Sequence, residues 1–441
     1  MAKKDNVKTP TRLPGFRDFF CKDVKLREFV IKTFKKEFEK YGYEPLETPA
    51  LEKTELVLGQ SGEEAEKQYY RFRDPGGRDI MLRYEVMIGM CRAVAQNINN
   101  ITFPYKRYQI QPVWRAEKPQ KGRYREFLQC DADTVGSASE ICDGEFIEMG
   151  IAAILELGIK DVVVKINSRK FLEGLAEYFK LPKEKFYGFY ISLDKLEKIG
   201  KESVLEEMIK IRKIDEKIAK KMLEMLIWEE PLKFEDKVKK FQESVGKTKA
   251  GKEGIKELLE IDKYLKTAQV DEKFYTFSPS LARGLASYTG GVWEFVVPKQ
   301  GIGSLAGGGR YDKAIEKYIG IKIPATGGSF GIDRICDVIE ERRLVNIEES
   351  PAKVLVTIFN EDISPISIKV AKELRSNGIS TMLYPEAKNL DKQLRYADKK
   401  KIPYVLIIGP DEKEKNIAVL RWMRKNKQQT LPISTIIEIL S

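Results

Sequence analysis

The spacing of apolar positions changes along the chain and predicts the order of its elements. Residues 26–41, LREFVIKTFKKEFEKY, place apolar side chains at helical spacing opposite Lys and Glu, which is typical of an amphipathic helix. Residues 42–56, GYEPLETPALEKTEL, predict a loop, a short strand interrupted by proline and the start of a helix. Between about residues 106 and 138, the strand-like runs KRYQIQPVWRAE and YREFLQCDADTV are joined by KPQKGR. The turn residues Pro119 and Gly122 favour an antiparallel hairpin there.

A helical segment and a second α/β region follow the hairpin. Residues 181–264 are highly charged, poor in glycine and helical in period, which predicts an inserted helical module. Glycine returns in the strand-like runs GGVWEFVVP and GSLAGGGRYD and in GGSFGIDRICDVIEERR. After Pro351, strand-like and helical runs alternate, which predicts a separate α/β domain. We therefore expect a core of α/β class (more closely α+β) from residues 1–180 and 265–345, the insertion 181–264, and a C-terminal domain 351–441.

Composition narrows the class of protein. At 441 residues and 42% hydrophobic content, the chain can bury more than one core. Its start is polar and lacks the apolar stretch of a signal peptide, and no apolar run approaches the ~20 residues of a membrane span. The five cysteines are scattered and never form a C-x-x-C pair, which favours a reducing compartment. We expect a cytoplasmic protein.

The chain contains no histidine, which excludes several kinds of chemistry. A Ser-His-Asp triad, a Cys-His dyad and a His-ligated zinc site are all impossible. General acid–base catalysis near neutral pH would need a Glu, Asp, Lys or Tyr with a shifted pKa, or a group on the substrate itself. We expect charge stabilisation and positioning to carry any reaction. The formal net charge of +11 fits either a Lys/Glu-rich solvated surface or a polyanionic partner such as RNA, and composition does not decide between them.

Strand alternation sorts the hairpin into two faces. On the second strand, one face carries Phe127, Gln129, Asp131 and Asp133, and the opposite face carries Glu126, Leu128, Cys130 and Ala132. On the first strand, Arg115 and Glu117 share a side with Gln111 and Val113. One face therefore collects an aromatic ring, an amide, carboxylates and a guanidinium, which indicates a site. The connecting loop adds positive charges suited to phosphates, from Lys118, Lys121, Arg123 and Arg125.

Six stretches together resemble the histidyl-tRNA synthetases, which are class II aminoacyl-tRNA synthetases. GYEPLETPALE, WRAEKPQKGRYREFLQ and PATGGSFGIDRI are similar to motifs 1, 2 and 3 of that class. LARGLASYTGGVWEF, with AGGGRYD, resembles the family's histidine-specific signatures, and NLDKQLRYADKKKIPYVLIIG its anticodon-binding domain. The resemblance covers nearly the whole chain and implies an antiparallel sheet with helices, a helical insertion and a C-terminal anticodon-binding domain.

The resemblance implies a role for each candidate site residue. Arg115 would hold the ATP α-phosphate, and Arg283 would lie beside that phosphate and the amino-acid carboxylate. Arg123 and Arg334 would hold the outer phosphates. Glu117 would accept the adenine amino group and Phe127 would stack on the ring. Glu85 and Gln129 would bind the ammonium group, while Asp133 and Tyr288 would bracket the imidazole. ATP, Mg²⁺, histidine or an analogue, and tRNA are the implied ligands. The implied assembly is a homodimer formed around motif 1.

The chain departs from the family pattern in two motifs. Met87 and Gly89 stand where the family usually has threonine and proline, and Ala286 and Ser287 stand where it has Asp or Ser and then Tyr. These departures predict an amino-acid pocket altered at about four positions. Three interpretations remain open at this point: an ordinary histidine enzyme with an unusual pocket, a synthetase redirected to another amino acid, and a non-catalytic tRNA-binding or regulatory relative.

Overall fold

The computed structural model describes residues 10–58, 68–120, 122–227, 232–283, 287–298, 301, 303–425 and 427–441. The chain divides into two compact units. The first comprises residues up to 17 and 27–345, and the second comprises residues 18–26 and 346–441. Within the described residues, no helix is both long and apolar enough to cross a membrane.

The strands of the first unit build a large sheet and a small one. They are β1 (Glu44–Pro45), β2 (Leu51–Lys53), β3 (Arg71–Arg73), β4 (Asp79–Leu82), β5 (Tyr105–Trp114), β6 (Glu126–Val135), β7 (Val163–Ser168), β8 (Tyr275–Phe277), β9 (Gly291–Val296), β10 (Ala306–Arg310) and β11 (Ala325–Gly331). Among the described residues, the large sheet has eight strands in the order β1-β5-β6-β11-β10-β9-β7-β8, and β2-β4-β3 form the small sheet. The pairs β1–β5 and β7–β8 at the edges are parallel, and the other pairs of the large sheet are antiparallel. The predicted hairpin is confirmed as β5–β6, with Val113 opposite Phe127 and Gln111 opposite Gln129.

The helices up to residue 345 include those predicted within 26–41 and 181–264, together with several that the sequence pattern did not identify. They are α1 (Cys21–Lys40), α2 (Thr54–Val57), α3 (Val86–Gln96), α4 (Ile141–Glu156), α5 (Arg169–Tyr178), α6 (Phe186–Leu193), α7 (Leu196–Glu206), α8 (Glu216–Leu226), α9 (Phe234–Lys239), α10 (Lys249–Thr267), α11 (Glu316–Ile319) and α12 (Ile332–Arg342). Helices α6 to α9 and most of α10 lie within the predicted helical segment 181–264. Helix α10 packs closely on α5, since a Cβ added at Gly254 would lie 2.8 Å from the Cα atom of Phe171.

Helices α1 and α4 cover the apolar face of the large sheet. Phe34 on α1 lies 4.6 Å, ring centre to ring centre, from Phe330 on β11, and Phe146 on α4 stacks on the same ring at 5.5 Å. In the sheet register Phe330 is opposite Cys130, whereas the next residue, Ser329, is opposite Asp131. Because side chains alternate along a strand, the polar residues of β6 point away from these helices.

The second unit is a small α/β domain. Its elements are β12 (Val354–Val356), α13 (Ser364–Ser376), β13 (Thr381–Leu383), α14 (Leu390–Lys399), β14 (Tyr404–Ile407), α15 (Pro410–Lys415), β15 (Ile417–Trp422), β16 (Lys427–Pro432) and α16 (Ile433–Leu440). In the described part of this unit, five strands pair in the order β13-β12-β14-β15-β16, with β13, β12 and β14 parallel and β15 and β16 antiparallel. Helices α13 and α16 bury apolar side chains against the sheet, among them Val370, Leu374 and Ile436.

Candidate functional site

A cavity of about 1220 Å³ lies on the polar face of the large sheet. Its floor comes from β6, β10 and β11, and its walls come from the residues around the start of α3, the segment before β9 and the insertion helices α6 and α7. Of the predicted site residues, the cavity brings together Glu85, Met87, Arg115, Gln129, Asp133, Arg283, Ser287, Tyr288 and Arg334.

Carboxyl and amide side chains form one part of the lining, which we call the acidic end: Glu85, Gln129, Asp131 and Asp133. Alternate residues of β6 supply Gln129, Asp131 and Asp133, as the strand pattern predicted. Glu85 precedes the first residue of α3, and the Val86 backbone N–H donates to Gln129 Oε1 at 2.9 Å. Burial raises the pKa of Glu85, with Arg115 opposing the shift. The helix start and β6 therefore hold each other in place.

A buried arginine that the sequence analysis did not identify neutralises part of the acidic end. Arg107 on β5 is opposite Asp133 in the register, and its Nη2 lies 2.5 Å from Asp133 Oδ2. Both side chains are almost completely buried, and the Tyr311 hydroxyl donates to Asp133 Oδ1. Burial raises the pKa of Asp133 although Arg107 and Tyr311 oppose the rise. Extending the hairpin register back from Gln111 by four residues would have pointed to Arg107.

Three arginines line the other part of the cavity, which we call the basic end: Arg115, Arg283 and Arg334. The Arg115 guanidinium lies 4.3 Å from the ring centre of Tyr84 and 5.2 Å from that of Phe127, and its Nε donates to the Tyr84 carbonyl at 3.2 Å. Arg334, in the first turn of α12, donates from Nη1 to the Ser304 carbonyl at 2.7 Å. Burial, followed by the like charges of Arg123 and Arg115, lowers the pKa of Arg334. These positive charges are held close together, which favours an anionic ligand.

Arg283 is positioned by a carboxylate and by a glycine. Its Nη1 donates to Glu294 Oε1 on β9 at 3.0 Å. A Cβ added at Gly307 on β10 would lie 2.6 Å from Arg283 Cζ, so the guanidinium rests directly on the strand backbone. Burial works to lower the pKa of Arg283, but Tyr288 and Glu294 outweigh it and raise the pKa. The acid that balances this arginine is thus eleven residues further along the chain.

The residues expected to hold adenine lie outside the lining of the cavity. Glu117 pairs with Arg123, and the Arg125 side chain donates to the Glu117 carbonyl at 2.9 Å. Phe127 does not line the cavity but packs against Arg115, which does. Lys118 is exposed, and Lys121 falls outside the described residues.

The four altered positions do not share one location. Met87 and Ser287 line the cavity, and Ala286 falls outside the described residues. Gly89 does not line the cavity. It lies on α3 where a Cβ would be 2.6 Å from Thr48 Oγ1, so glycine is needed there for close packing. The motif spacing did not reveal this because it gives no information on which side of the helix a residue faces.

Comparison with known proteins assigns both parts of the chain to families. A family model for histidyl-tRNA synthetase matches residues 15–335, and a model for an anticodon binding domain matches residues 353–441. A histidine–tRNA ligase of Clostridium tetani is 37% identical over 443 residues, which is 99% of each chain. One of Wolinella succinogenes is 35% identical over 440 residues, again 99% of each chain.

Solved structures agree with these matches. The crystal structure of a histidyl-tRNA synthetase from a Nostoc species is similar to this chain with a TM-score of 0.84 and 27% identity, covering 99% of both chains. The apo histidyl-tRNA synthetase of S. aureus, at 22% identity and a TM-score of 0.70 over 98% of this chain and 100% of its own, shares the fold.

Proposed function

The chain belongs to the histidyl-tRNA synthetase family, and we propose that its cavity is where histidine and ATP combine before the histidyl group passes to tRNA. The observation that carries this proposal is the division of the cavity into an acidic and a basic end. A free amino acid has an ammonium group and a carboxylate, so such a cavity orients it with its carboxylate towards the arginines. No comparison favours a synthetase redirected to another amino acid or a non-catalytic relative.

At the basic end, the three arginines would stabilise the charge that develops during activation. The histidine carboxylate attacks the ATP α-phosphate, an acyl-phosphate bond forms, and pyrophosphate leaves. Arg115 would hold the α-phosphate, Arg283 would contact both the α-phosphate and the carboxylate, and Arg334 would hold the departing phosphates together with Arg123. Fixed donors aimed at the developing charge are the strongest contribution that such a site makes.

The remaining residues would bind the two substrates. Glu85 and Gln129 would accept hydrogen bonds from the ammonium group, and Tyr288 and Asp133 would lie against the imidazole. Met87 and Ser287 would form part of the wall around the histidine side chain. Glu117 would accept the adenine amino group and Phe127 would stack on the ring, which requires the Glu117–Arg123 pair to open when ATP binds.

The family uses ATP, and we propose that Mg²⁺ enters with it. Among the described residues, no cluster of three or more Cys, Asp or Glu side chains is arranged to hold a metal ion. The metal would be held mainly by the ATP phosphates, which is common for Mg²⁺. It would partly neutralise their charge. For transfer, a phosphate oxygen of the adenylate would take the proton of the tRNA ribose hydroxyl, since the chain has no histidine to do so.

The second unit would bind the anticodon of the tRNA. The match of residues 353–441 to an anticodon binding domain supports this role. We assign residues 1–180 and 265–345 to the catalytic core, residues 181–264 to the insertion and residues 351–441 to the anticodon-binding domain. We further propose a cytoplasmic homodimer formed around motif 1.

Amino-acid-dependent exchange of pyrophosphate into ATP tests the proposal. With all twenty amino acids assayed separately, exchange should be substantial with histidine alone, and histidine should be transferred to tRNA. Arg283→Ala should lower exchange by at least ~10²-fold, because one fixed charge stabiliser is lost. Arg342→Ala, which removes an exposed partner of Asp161, is the matched control and should retain exchange. Exchange that depends on another amino acid, or full exchange by Arg283→Ala, would contradict the proposed mechanism.

A further inference from the structure

Asp131 is a carboxyl group of the cavity that has no assigned role. It lies on β6 between Gln129 and Asp133, lines the cavity, and is only 6% exposed. Its Oδ1 accepts no hydrogen bond from any residue that the structure describes. A buried acceptor without a donor costs free energy in the ligand-free protein. Because a carboxylate can exchange its two oxygens by rotation about χ2, a donor in the cavity can satisfy it.

The neighbouring acceptors are already engaged by protein groups. Asp133 accepts from the Tyr311 hydroxyl through Oδ1, and its Oδ2 is paired with Arg107 as an ion pair, although like Asp131 Oδ1 it accepts no hydrogen bond from the described residues. Gln129 Oε1 already accepts one hydrogen bond, from the Val86 backbone. Met87, also in the lining, offers only a thioether, which is a weak acceptor. Asp131 is therefore a strong hydrogen-bond acceptor at the acidic end that is available to a ligand.

We propose that Asp131 binds the ammonium group of the substrate histidine, together with Glu85 and Gln129, and so helps to select an α-amino acid. An ammonium group has three N–H donors, and these three residues give it three acceptors. Gln129 and Asp131 are two residues apart on one face of β6, about 7 Å between Cα atoms. One nitrogen with a hydrogen bond of about 2.9 Å on each side can bridge side chains that lean together across that gap.

The charges around Asp131 fit this role. The groups that face it are Arg107 on β5, Asp133 on its own strand, Ser329 on β11, Glu85 before α3, and Tyr288. Burial raises the pKa of Asp131 to about 7, with Arg107 opposing the rise and Asp133 adding to it. Near neutral pH the free cavity therefore holds Asp131 partly protonated. An ammonium group placed against it would return it to the carboxylate form, so histidine binding would release protons.

Direct binding measurements test the role of Asp131, which rests on the proposed use of histidine. The dissociation constants of histidine and of its des-amino analogue, 3-(imidazol-4-yl)propionate, are measured by calorimetry for the wild type and for Asp131→Asn. Asp131→Asn should weaken histidine binding at least ~10-fold, which is the loss of ~1.4 kcal/mol. Binding of the des-amino analogue should change less than ~2-fold, because it has no ammonium group.

The pH dependence of histidine binding is a second measurement, and a purely structural role of Asp131 would not change it. The ratio of the histidine dissociation constants, variant over wild type, should increase between about pH 6 and pH 8 as Asp131 ionises in the free wild type. The imidazole of histidine titrates in the same way in both measurements, so its effect cancels in this ratio. Asp161→Asn, a change at an exposed pair with Arg342, is the control and should bind both ligands as the wild type does.

The outcomes separate the two proposals. If the wild type fails to bind histidine, the proposed function is wrong. If it binds histidine and Asp131→Asn binds it equally well, or weakens both ligands equally, Asp131 does not bind the ammonium group. If Asp131→Asn does not fold, Asp131→Ser replaces it. Calorimetry of the wild type in two buffers of different ionisation enthalpy measures the protons released on binding. Equal proton release with histidine and with the des-amino analogue would contradict the role of Asp131.

Discussion

Replacing Gly307 with alanine would put a methyl group against the guanidinium of Arg283. The added Cβ would lie 2.6 Å from Cζ and 2.9 Å from Nη2 of Arg283, and closer still to Nη1. Gly307 is in the middle of β10, between Glu294 of β9 and Ser329 of β11, and its backbone is not in the left-handed region. Alanine is therefore compatible with the strand, and Arg283 must move instead.

The displacement should damage activity much more than stability. If Arg283 no longer reaches the α-phosphate and carboxylate, the rate of adenylate formation should fall by ~10²- to 10³-fold, or about 2.7–4 kcal/mol of transition-state stabilisation. Arg283 and Glu294 are each about a fifth exposed, so loss of their ion pair should lower the free energy of unfolding by about 1 kcal/mol or less.

A double-mutant cycle makes the test specific to the contact. Pyrophosphate exchange and urea unfolding are measured for Gly307→Ala, Arg283→Ala and the double variant. In the Arg283→Ala background, alanine at position 307 should cause little further loss, because the group it displaces is already absent. Gly76→Ala, an exposed glycine where a Cβ comes no nearer than 3.3 Å to a side chain, is the control. Full exchange by Gly307→Ala, or losses that simply add, would refute the positioning role of Gly307.

Further predictions concern the buried charges and the assembly. Arg107→Leu should lower the free energy of unfolding by about 3–5 kcal/mol in urea, because Asp133 is left buried without its partner. Arg342→Leu, at an exposed pair, should cost less than about 1 kcal/mol. Burial raises the pKa of Asp131 in the folded protein to about 7. The unfolded chain loses the same proton at lower pH, so the free energy of unfolding should fall between about pH 4 and pH 7. Asp131→Asn should therefore raise the melting temperature of the ligand-free protein more at about pH 8 than at about pH 4. Light scattering should give a dimer at micromolar concentration, and a monomer would contradict the proposed assembly.

Some elements of the fold could be predicted from local patterns, but their order in the sheets could not. The hairpin β5–β6 has a clear period of two and a turn with Pro119 and Gly122, so its pairing is a local property. In contrast, β11 inserts between β6 and β10, strands separated from it by very different lengths of chain. No local pattern specifies such a neighbour, because the pairing depends on which apolar faces α1 and α4 cover.

In the site, too, local sequence patterns predict residue positions but not the contacts between distant strands. Alternation along β6 correctly brought Gln129, Asp131 and Asp133 to one face. It could not show that Asp133 is already neutralised by Arg107, since that pairing depends on the hairpin register. Nor could the spacing of GGGRYD show which glycine accommodates Arg283. The motif resemblance identified residue types and order, whereas the contacts that set their charges come from strands distant in sequence.

The electrostatic division of the cavity explains how a chain without histidine can recognise histidine and activate it. Against the effect of burial, Tyr288 and Glu294 raise the pKa of Arg283. Arg334 has Arg123 and Arg115 as like-charged neighbours that Glu294 and Glu117 offset only in part, so the basic end gains from an anion that enters. The acidic end is nearly balanced before substrate arrives, because Arg107 offsets Asp133 and burial favours protonated Asp131. The basic end thus binds the carboxylate of the substrate, and the acidic end binds its ammonium group. A reversed amino acid would place its ammonium group against three arginines, and like charges brought this close in a partly buried site repel by several kcal/mol. Orientation therefore follows from fixed charge, and the protein needs no titrating imidazole of its own to achieve it.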